Sequence, residues 1–263
     1  MNRAAYQGHP AALLVEDGRL SVLYGDDGDG PRAAIVPEGL RVAPLDVADA
    51  TVADAFTRGA VTVTGPRSPG TLAIVAELDG AKLPGVFVAA DDATVRRELA
   101  AYRLDRQLQL GLVPVTVARE VQGQAGYVQA RPARWITQAE AGPGAPGGGG
   151  WCALEPQYGL LAAFDALIGD PGRTAARVLY DSEEWRLYAT GHAQAFGTTP
   201  RPPAAPGAQR PADGSELRRR LAGLDPASLA TSVGDLLDED ARHAILLRRD
   251  ALLAPTPASA TGS

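Results

Sequence analysis

With 263 residues, a net charge of −6 at pH 7 and 45% hydrophobic residues, the chain is long enough for one large domain or two lobes and too apolar for a disordered segment. The acidic balance argues against a nucleic-acid or anionic-membrane surface, and a single cysteine, Cys152, excludes an intramolecular disulfide and a cysteine-rich zinc site. No apolar run reaches the length of a membrane span and the stretch before Glu16 lacks a signal-peptide core, so a cytoplasmic protein without a membrane span is expected.

The first 45 residues read as strands and turns, with "ALLV" and "RLSVLY" flanking the hairpin signal Asp17-Gly18, "DDGDG" as a loop, and "AAIVPEGLRVAPL" as a second hairpin. "DVADATVADAFTRG" predicts a short helix stopped by Gly59. "AVTVTG" and "TLAIVAEL" are strands joined by "PRSPG", and "LPGVFVAA" is a third after the Asp79-Gly80 turn. Asp91 or Asp92 caps a helix through "ATVRRELAAYRLDRQLQ", whose Val95, Leu99 and Tyr102 predict its inward face. Strands "GLVPVTVARE" and "AGYVQARP" surround a Gln122-Gly123 turn, and the glycine-rich stretch from Ala141 to Gly150 is a flexible loop.

"PQYGLLAAFDALIGD" is helical with Leu161, Phe164 and Ile168 inward, and "ARVLYD" with "WRLYATG" forms a short hairpin. After the proline-rich "TTPRPPAAPGAQRP", three helices follow: Ser215 to Leu224, Pro226 to Leu237 capped by Asp225, and Asp238 to Leu253. The order predicts an α+β, two-lobed layout with a cleft between the lobes. The expected divisions are 1–48 as a β-rich extension, 49–131 as a β-rich N-lobe, 132–254 as a mainly helical C-lobe, and 255–263 as a disordered tail.

Several features read more plainly as structure than as chemistry. Gly65 to Thr71 lacks the Gly-Lys-Ser/Thr of a phosphate loop and reads as a hairpin turn. The acids Asp26, Asp27 and Asp29 lack calcium-loop spacing, and Asp181 to Glu184 read as an exposed turn. His9, His192 and His243 have no metal-ligand rhythm, and Cys152 has no identified base. The clusters Arg218–Arg220 and Arg248–Arg249 are expected on solvated helix faces.

The block "RRELAAYRLDRQLQLGLVPVTVAREVQGQAGYVQ", followed by "FDALIGDPGRTAARVLYDSEEWRLYATGHAQAF", resembles the atypical kinase superfamily. That group includes HipA-like kinases, phosphatidylinositol-kinase-like bacterial proteins and secretory-pathway casein kinases. The resemblance covers roughly Ala55 to Phe196 and implies a two-lobed protein-kinase-like fold. Phosphoryl transfer needs a lysine on the phosphates, an acid that orients it, a base, and metal ligands. Glu98 matches the orienting acid, but Val88 stands in the lysine slot, and Lys82, the only lysine, lies in or near the preceding turn. Gly172 falls at the catalytic aspartate, Arg177 at a metal-binding asparagine and Gly191 at the metal aspartate, while Arg173 retains the arginine beside the base. An arginine in a metal-ligand position repels a divalent cation.

The resemblance therefore implies a pseudokinase: a kinase-like frame serving as a regulatory or binding module with a protein partner. No catalytic or metal-binding residue is assigned, and no cofactor is expected. ATP without metal remains open through Glu98, Gln129, Arg173 and the hinge from Val128 to Arg131. Two other readings stay open. One is a divergent phosphotransferase or nucleotidyltransferase with relocated acids (Asp170, Asp181 or Glu98). The other is a cleft for a small anion or peptide floored by Arg173 and Arg177. Without its lysine, Glu98 could pair with Arg173, Arg177 or water, or its helix could rotate outward.

Overall fold

The computed structural model describes residues 4–6, 9–16, 19–26, 30–35, 49–132, 135–142, 154–181, 186–200, 211 and 214–254. The Asp17-Gly18 turn, the acids of "DDGDG" from Asp27 to Asp29, Cys152, Glu183, Glu184, most of the glycine-rich and proline-rich stretches, and the tail lie outside the described residues. Strands β1 (Ala4–Tyr6), β2 (His9–Glu16), β3 (Arg19–Asp26) and β4 (Gly30–Ile35) pair in sequence order as a four-stranded antiparallel sheet of their own.

A second antiparallel sheet forms from β5 (Ala60–Ser68), β6 (Thr71–Leu78), β7 (Ala81–Ala89), β8 (Thr116–Val121) and β9 (Gln124–Ala130), in the order β5-β6-β7-β9-β8. Residues directly opposite on neighbouring strands share a face. One face, carrying Ile74, Ala76, Phe87 and Val128, buries Phe56, Ala55 and Val52 of helix α1 (Asp49–Arg58). Arg119 of β8 pins that helix's end by donating to the carbonyls of Phe56 and Gly59. The β8–β9 turn has Gln122 at φ 53° and Gly123 at φ 76°, the paired positive values that match the twist of a tight hairpin. β5 continues through Gly65 to Ser68, so the hairpin tip shrinks to Pro69-Gly70 and two register shifts bend it.

Helix α2 (Asp92–Gln107) starts at Asp91, whose carboxylate accepts from the Thr94 amide at 2.8 Å. Its deepest face is not the one that apolar spacing predicts. Val95, Leu99 and Tyr102 are half-buried, whereas Glu98, Ala101, Leu104, Asp105 and Leu108 are buried. Two carboxylates on the inward stripe disguise its periodicity. Asp105 accepts from the Leu112 amide at 2.8 Å and from Arg106 at 2.6 Å, yet burial pushes its carboxyl up to about 6. The apolar residues of α2 pack chiefly with the helical lobe, against Phe164, Leu229, Val233 and Ile245.

The chain leaves the sheet through Arg131 and Pro132 into β10 (Trp135–Thr137), α3 (Gln138–Ala141) and α4 (Leu154–Ile168). A 3-10 turn, Ala175–Arg177, precedes β11 (Val178–Asp181) and β12 (Arg186–Ala189). Leu161, Phe164 and Ile168 point inward as predicted. The β11–β12 hairpin gains β10 as a third strand, and Trp135 stacks on Tyr188 with ring centroids 3.9 Å apart. Asp181 is buried there and accepts from the Trp135 indole at 2.6 Å, so it is not part of an exposed turn. A buried indole needs an acceptor, and Asp181 supplies it.

Helices α5 (Glu216–Ala222), α6 (Pro226–Val233) and α7 (Glu239–Leu253) begin at Ser215, Asp225 and Asp238, each capping with its side chain. Of the arginines near them Arg219 is solvent-exposed as expected, but the others do not form solvated faces. Arg218 donates to the Leu253 carbonyl at 2.6 Å and Arg220 to those of Leu108 (3.1 Å) and Gln109 (2.7 Å). Arg249 donates to the Leu224 carbonyl. Arg248 is buried and bonds the carbonyls of Leu167, Gly197 and Thr199 at 2.7–2.8 Å. Carbonyls at helix C-termini lack intrahelical partners and carry partial negative charge, so guanidinium groups gather there. The expected two-lobed α+β layout is present, with a β-rich lobe followed by a mainly helical one. No helix among the described residues is long and apolar enough to cross a membrane.

Candidate functional site

The segment after α4 builds a four-member charge cluster. Arg173 grips Asp165 in a fork, Nε to Oδ2 at 2.9 Å and Nη2 to Oδ1 at 2.5 Å, and its Nη1 donates to the Thr190 carbonyl at 2.6 Å. Asp170 accepts from the Gly172 amide at 3.1 Å through Oδ1 and from Arg177 through Oδ2, with Arg173 Nη2 at 3.5 Å. Arg177 also donates to the carbonyls of Gly172, at 2.5 Å, and Gly191. Two buried carboxylates thus face two guanidinium groups, and every carboxylate oxygen has a donor. Such matching is what lets charges survive burial.

Gly191, in the position read as the metal aspartate, has φ +72°, and a Cβ there would stand 3.0 Å from Arg177 Nε and 3.3 Å from its Cγ. An aspartate would be strained in its backbone and would crowd the Arg177 side chain, which would have to shift. Gly191 and Arg177 are therefore one arrangement: the missing side chain makes room for the guanidinium. The next residue, His192, is buried, and its amide donates to Glu98 Oε1 at 2.5 Å. Its ring Nδ1 lies 3.0 Å from Glu98 Oε2. Beside it, Arg97 donates to the Ala193 carbonyl at 2.7 Å. Glu98 has thus found neither Arg173, Arg177 nor an outward-rotated helix, but the loop following Gly191. Ala195 and Phe196 fix that loop from the other side, buried in the helical core with the Phe196 amide donating to the Ile168 carbonyl at 2.7 Å.

The sheet contributes its second face. Val88 lies opposite Tyr127 on β9, and Val86 opposite Gln129. Burial, then the charge of Glu98, raises the pKa of the Tyr127 hydroxyl, and Val88 shares the sheet face of Tyr127. Gln129 is buried and its amide donates to Thr116 Oγ1 at 2.9 Å, which in turn donates to the Pro114 carbonyl at 2.8 Å. Lys82 is in β7 rather than in the turn before it. It shares the parity of Val88 but stands about 20 Å away along the strand, far beyond a lysine's reach. Its side chain is 68% exposed and its ammonium lies 3.6 Å from Glu77.

The structure brings Gly172, Arg173, Arg177 and Gly191 into one cluster and ties Glu98 to the loop after Gly191, while Val88 shares a face of the sheet with Tyr127 and Gln129. The sequence resemblance implies a nucleotide and divalent metal near these residues, and the residues present do not fit the metal. The two acids nearest the expected position, Asp170 and Asp165, are held by arginines, and Gly191 offers only a carbonyl already bonded to Arg177. Among the described residues no group of three His, Cys, Asp or Glu side chains is placed to hold a cation. The member that sequence reading did not single out is Asp165, an acid within the apolar helix "LLAAFDALI"; a charge at a buried helical position was its available signal.

No family model matches the chain, and no curated protein matches it. Among solved structures it is similar to the crystal structure of a Helicobacter pylori proinflammatory kinase, CtkA, at 9% identity and a TM-score of 0.47, over 75% of this chain and 92% of that one.

Proposed function

We propose that the protein is a pseudokinase, a kinase-like frame kept as a regulatory or binding module for a protein partner, with no phosphoryl transfer of its own. One observation carries this reading: the Arg177 guanidinium bonds Gly172 and Gly191, the positions the resemblance gives to the base and a metal ligand, and also holds Asp170, the nearest acid that could have been relocated. A fixed internal cation there repels a second one and occupies the acid that would bind it. Val88 in the lysine slot and the seating of Glu98 on His192 support the same reading, because the orienting acid has an internal partner instead of a lysine. Relocated acids would have to include Asp170, which is buried and bonded on both oxygens, or Asp181, which is bonded to Trp135.

The test is thermal unfolding of the full chain with ATP in EDTA, then with Mg²⁺ or Mn²⁺. The expected outcome is no added stabilisation from metal, with or without a small shift from ATP alone. Metal-dependent stabilisation, together with label transfer from γ-labelled ATP that disappears in Asp170→Ala, would overturn the proposal in favour of a divergent phosphotransferase.

A further inference from the structure

Arg177 ends the 3-10 turn before β11, and its guanidinium gathers oxygens from two stretches of the chain. From the segment after α4 it takes the Gly172 carbonyl, at 2.5 Å, and Asp170 Oδ2; from the loop after β12 it takes the Gly191 carbonyl. Its backbone is tied to the same two stretches. The Arg177 amide donates to the Thr174 carbonyl at 2.9 Å, and its carbonyl accepts from the Thr190 amide at 3.0 Å. The Asp170 side chain is wholly buried, whereas that of Arg177 keeps 21% of its surface in solvent. The charged end thus meets a carboxylate that water does not reach.

One carboxylate and two main-chain carbonyls turned on a single charged group form the kind of oxygen set that hard cations take. The resemblance calls for a divalent metal here, and a guanidinium stands among the oxygens instead. We infer that Arg177 is a tethered substitute for that cation, a side chain that permanently fills an oxygen site and fastens the segment after α4 to the loop after β12. The charges agree with a monovalent occupant. Asp165 and Asp170 balance Arg173 and Arg177, and Arg173 Nη2 already lies 3.5 Å from Asp170 Oδ2. A divalent ion in place of the Arg177 charge would leave an excess of positive charge in a buried cluster. A planar group with five donors also spans three acceptors at once, which the compact head of a lysine does poorly. The inference rests on the pseudokinase reading and gives the lost metal role a use. A bound ion comes and goes with its concentration, and a tethered one does not, so this part of the module keeps one shape for its partner at any divalent-ion level.

Chemical rescue of the full chain tests the substitution. In EDTA, Arg177→Ala is expected to lower the thermal midpoint by roughly 5 °C or more, because Asp170 loses its cation. Methylguanidinium at millimolar concentration is expected to restore part of that loss in a saturable way and to slow hydrogen exchange at the Gly172 amide. It is expected to raise neither the wild type nor the double variant Arg177→Ala, Asp170→Asn. Without EDTA, Mg²⁺ or Mn²⁺ is expected to restore less, and any saturable restoration confined to Arg177→Ala supports the oxygen site. If Arg177→Ala does not fold, Arg177→Lys and Arg177→Gln carry the test: the lysine variant keeps the charge and is expected to melt above the glutamine variant. The reverse or equal order, or no saturable rescue by any of these cations, overturns the inference and leaves the pseudokinase reading standing. A wild type that Mg²⁺ stabilises sinks that reading, and the substitution with it.

Discussion

Arg173 and Arg177 differ from Arg131 in everything except residue type. Arg173 and Arg177 spend their donors on two buried carboxylates and on main-chain carbonyls. Arg131, where β9 ends, has one carboxylate, that of Glu140 at 3.7 Å, which is already engaged by Thr137. A guanidinium group is thus a structural filler in one place and a sparsely paired charge in the other. What distinguishes them is the count of acceptors within reach, not the positive charge. Functional assignment from an arginine's position alone would confuse the two.

The sharpest way to break this contrast is to leave Arg177 as sparsely paired as Arg131. Asp170→Ala leaves Arg177 without its carboxylate and the Gly172 amide without an acceptor, and is expected to cost about 3–5 kcal/mol in denaturant unfolding. A loss below about 1 kcal/mol would mean that the cluster is not matched as described.

Asp105 probes whether matching is sufficient by itself. Burial pushes its carboxyl up to about 6, above its unfolded value, despite Arg106 and the Leu112 amide. The folded state therefore binds the extra proton. The stability this confers is full below about pH 4 and lost as pH rises through about 6, by up to about 3 kcal/mol. Asp105→Asn has no such titration. The stability difference between wild type and variant is expected to fall across that window, and a constant difference would contradict the burial.

Gly191→Ala attacks the same cluster from the side. Positive φ and the 3.0 Å approach to Arg177 predict a loss of about 1–3 kcal/mol. Part of that loss should vanish in an Arg177→Ala background, a coupling of about 1 kcal/mol in a double-mutant cycle. Additive losses would separate the glycine from the arginine. The smallest change is at Glu140. Glu140→Gln keeps an oxygen for the Thr137 cap and removes the acid paired with Arg131. It is expected to shift stability by less than about 1 kcal/mol in denaturant unfolding.

Local chemistry made much of this fold legible in the sequence. Asp91, Ser215, Asp225 and Asp238 begin helices because a short polar side chain can cap an amide three residues ahead, and Gln122-Gly123 turns with both residues at positive φ, which the glycine takes without strain. The cleft was legible as a set of absences: Val88, Gly172, Arg177 and Gly191 stand where the resemblance calls for other groups. What replaced them was not legible, because those contacts join residues far apart in the chain. Glu98 meets His192 across 94 positions, and nothing near either residue announces the other. The inward face of α2 was misjudged because periodicity counts apolar residues, and two of its buried positions are acids. The arginines of the last helices look solvent-facing until the carbonyls they cap are located in space.

The seating of Glu98 has a consequence for how motion in this molecule can be watched. The His192 amide gives its only proton to a carboxylate on a different element, and both groups are buried. Its hydrogen–deuterium exchange is therefore a single-proton gauge of whether α2 is docked on the loop after Gly191. Protection that follows global unfolding would describe a helix and loop that separate only when the lobe melts. Faster exchange at that one amide, with the α4 and α7 interiors still protected, would describe an α2 that lifts on its own, giving a partner a hinge to act upon.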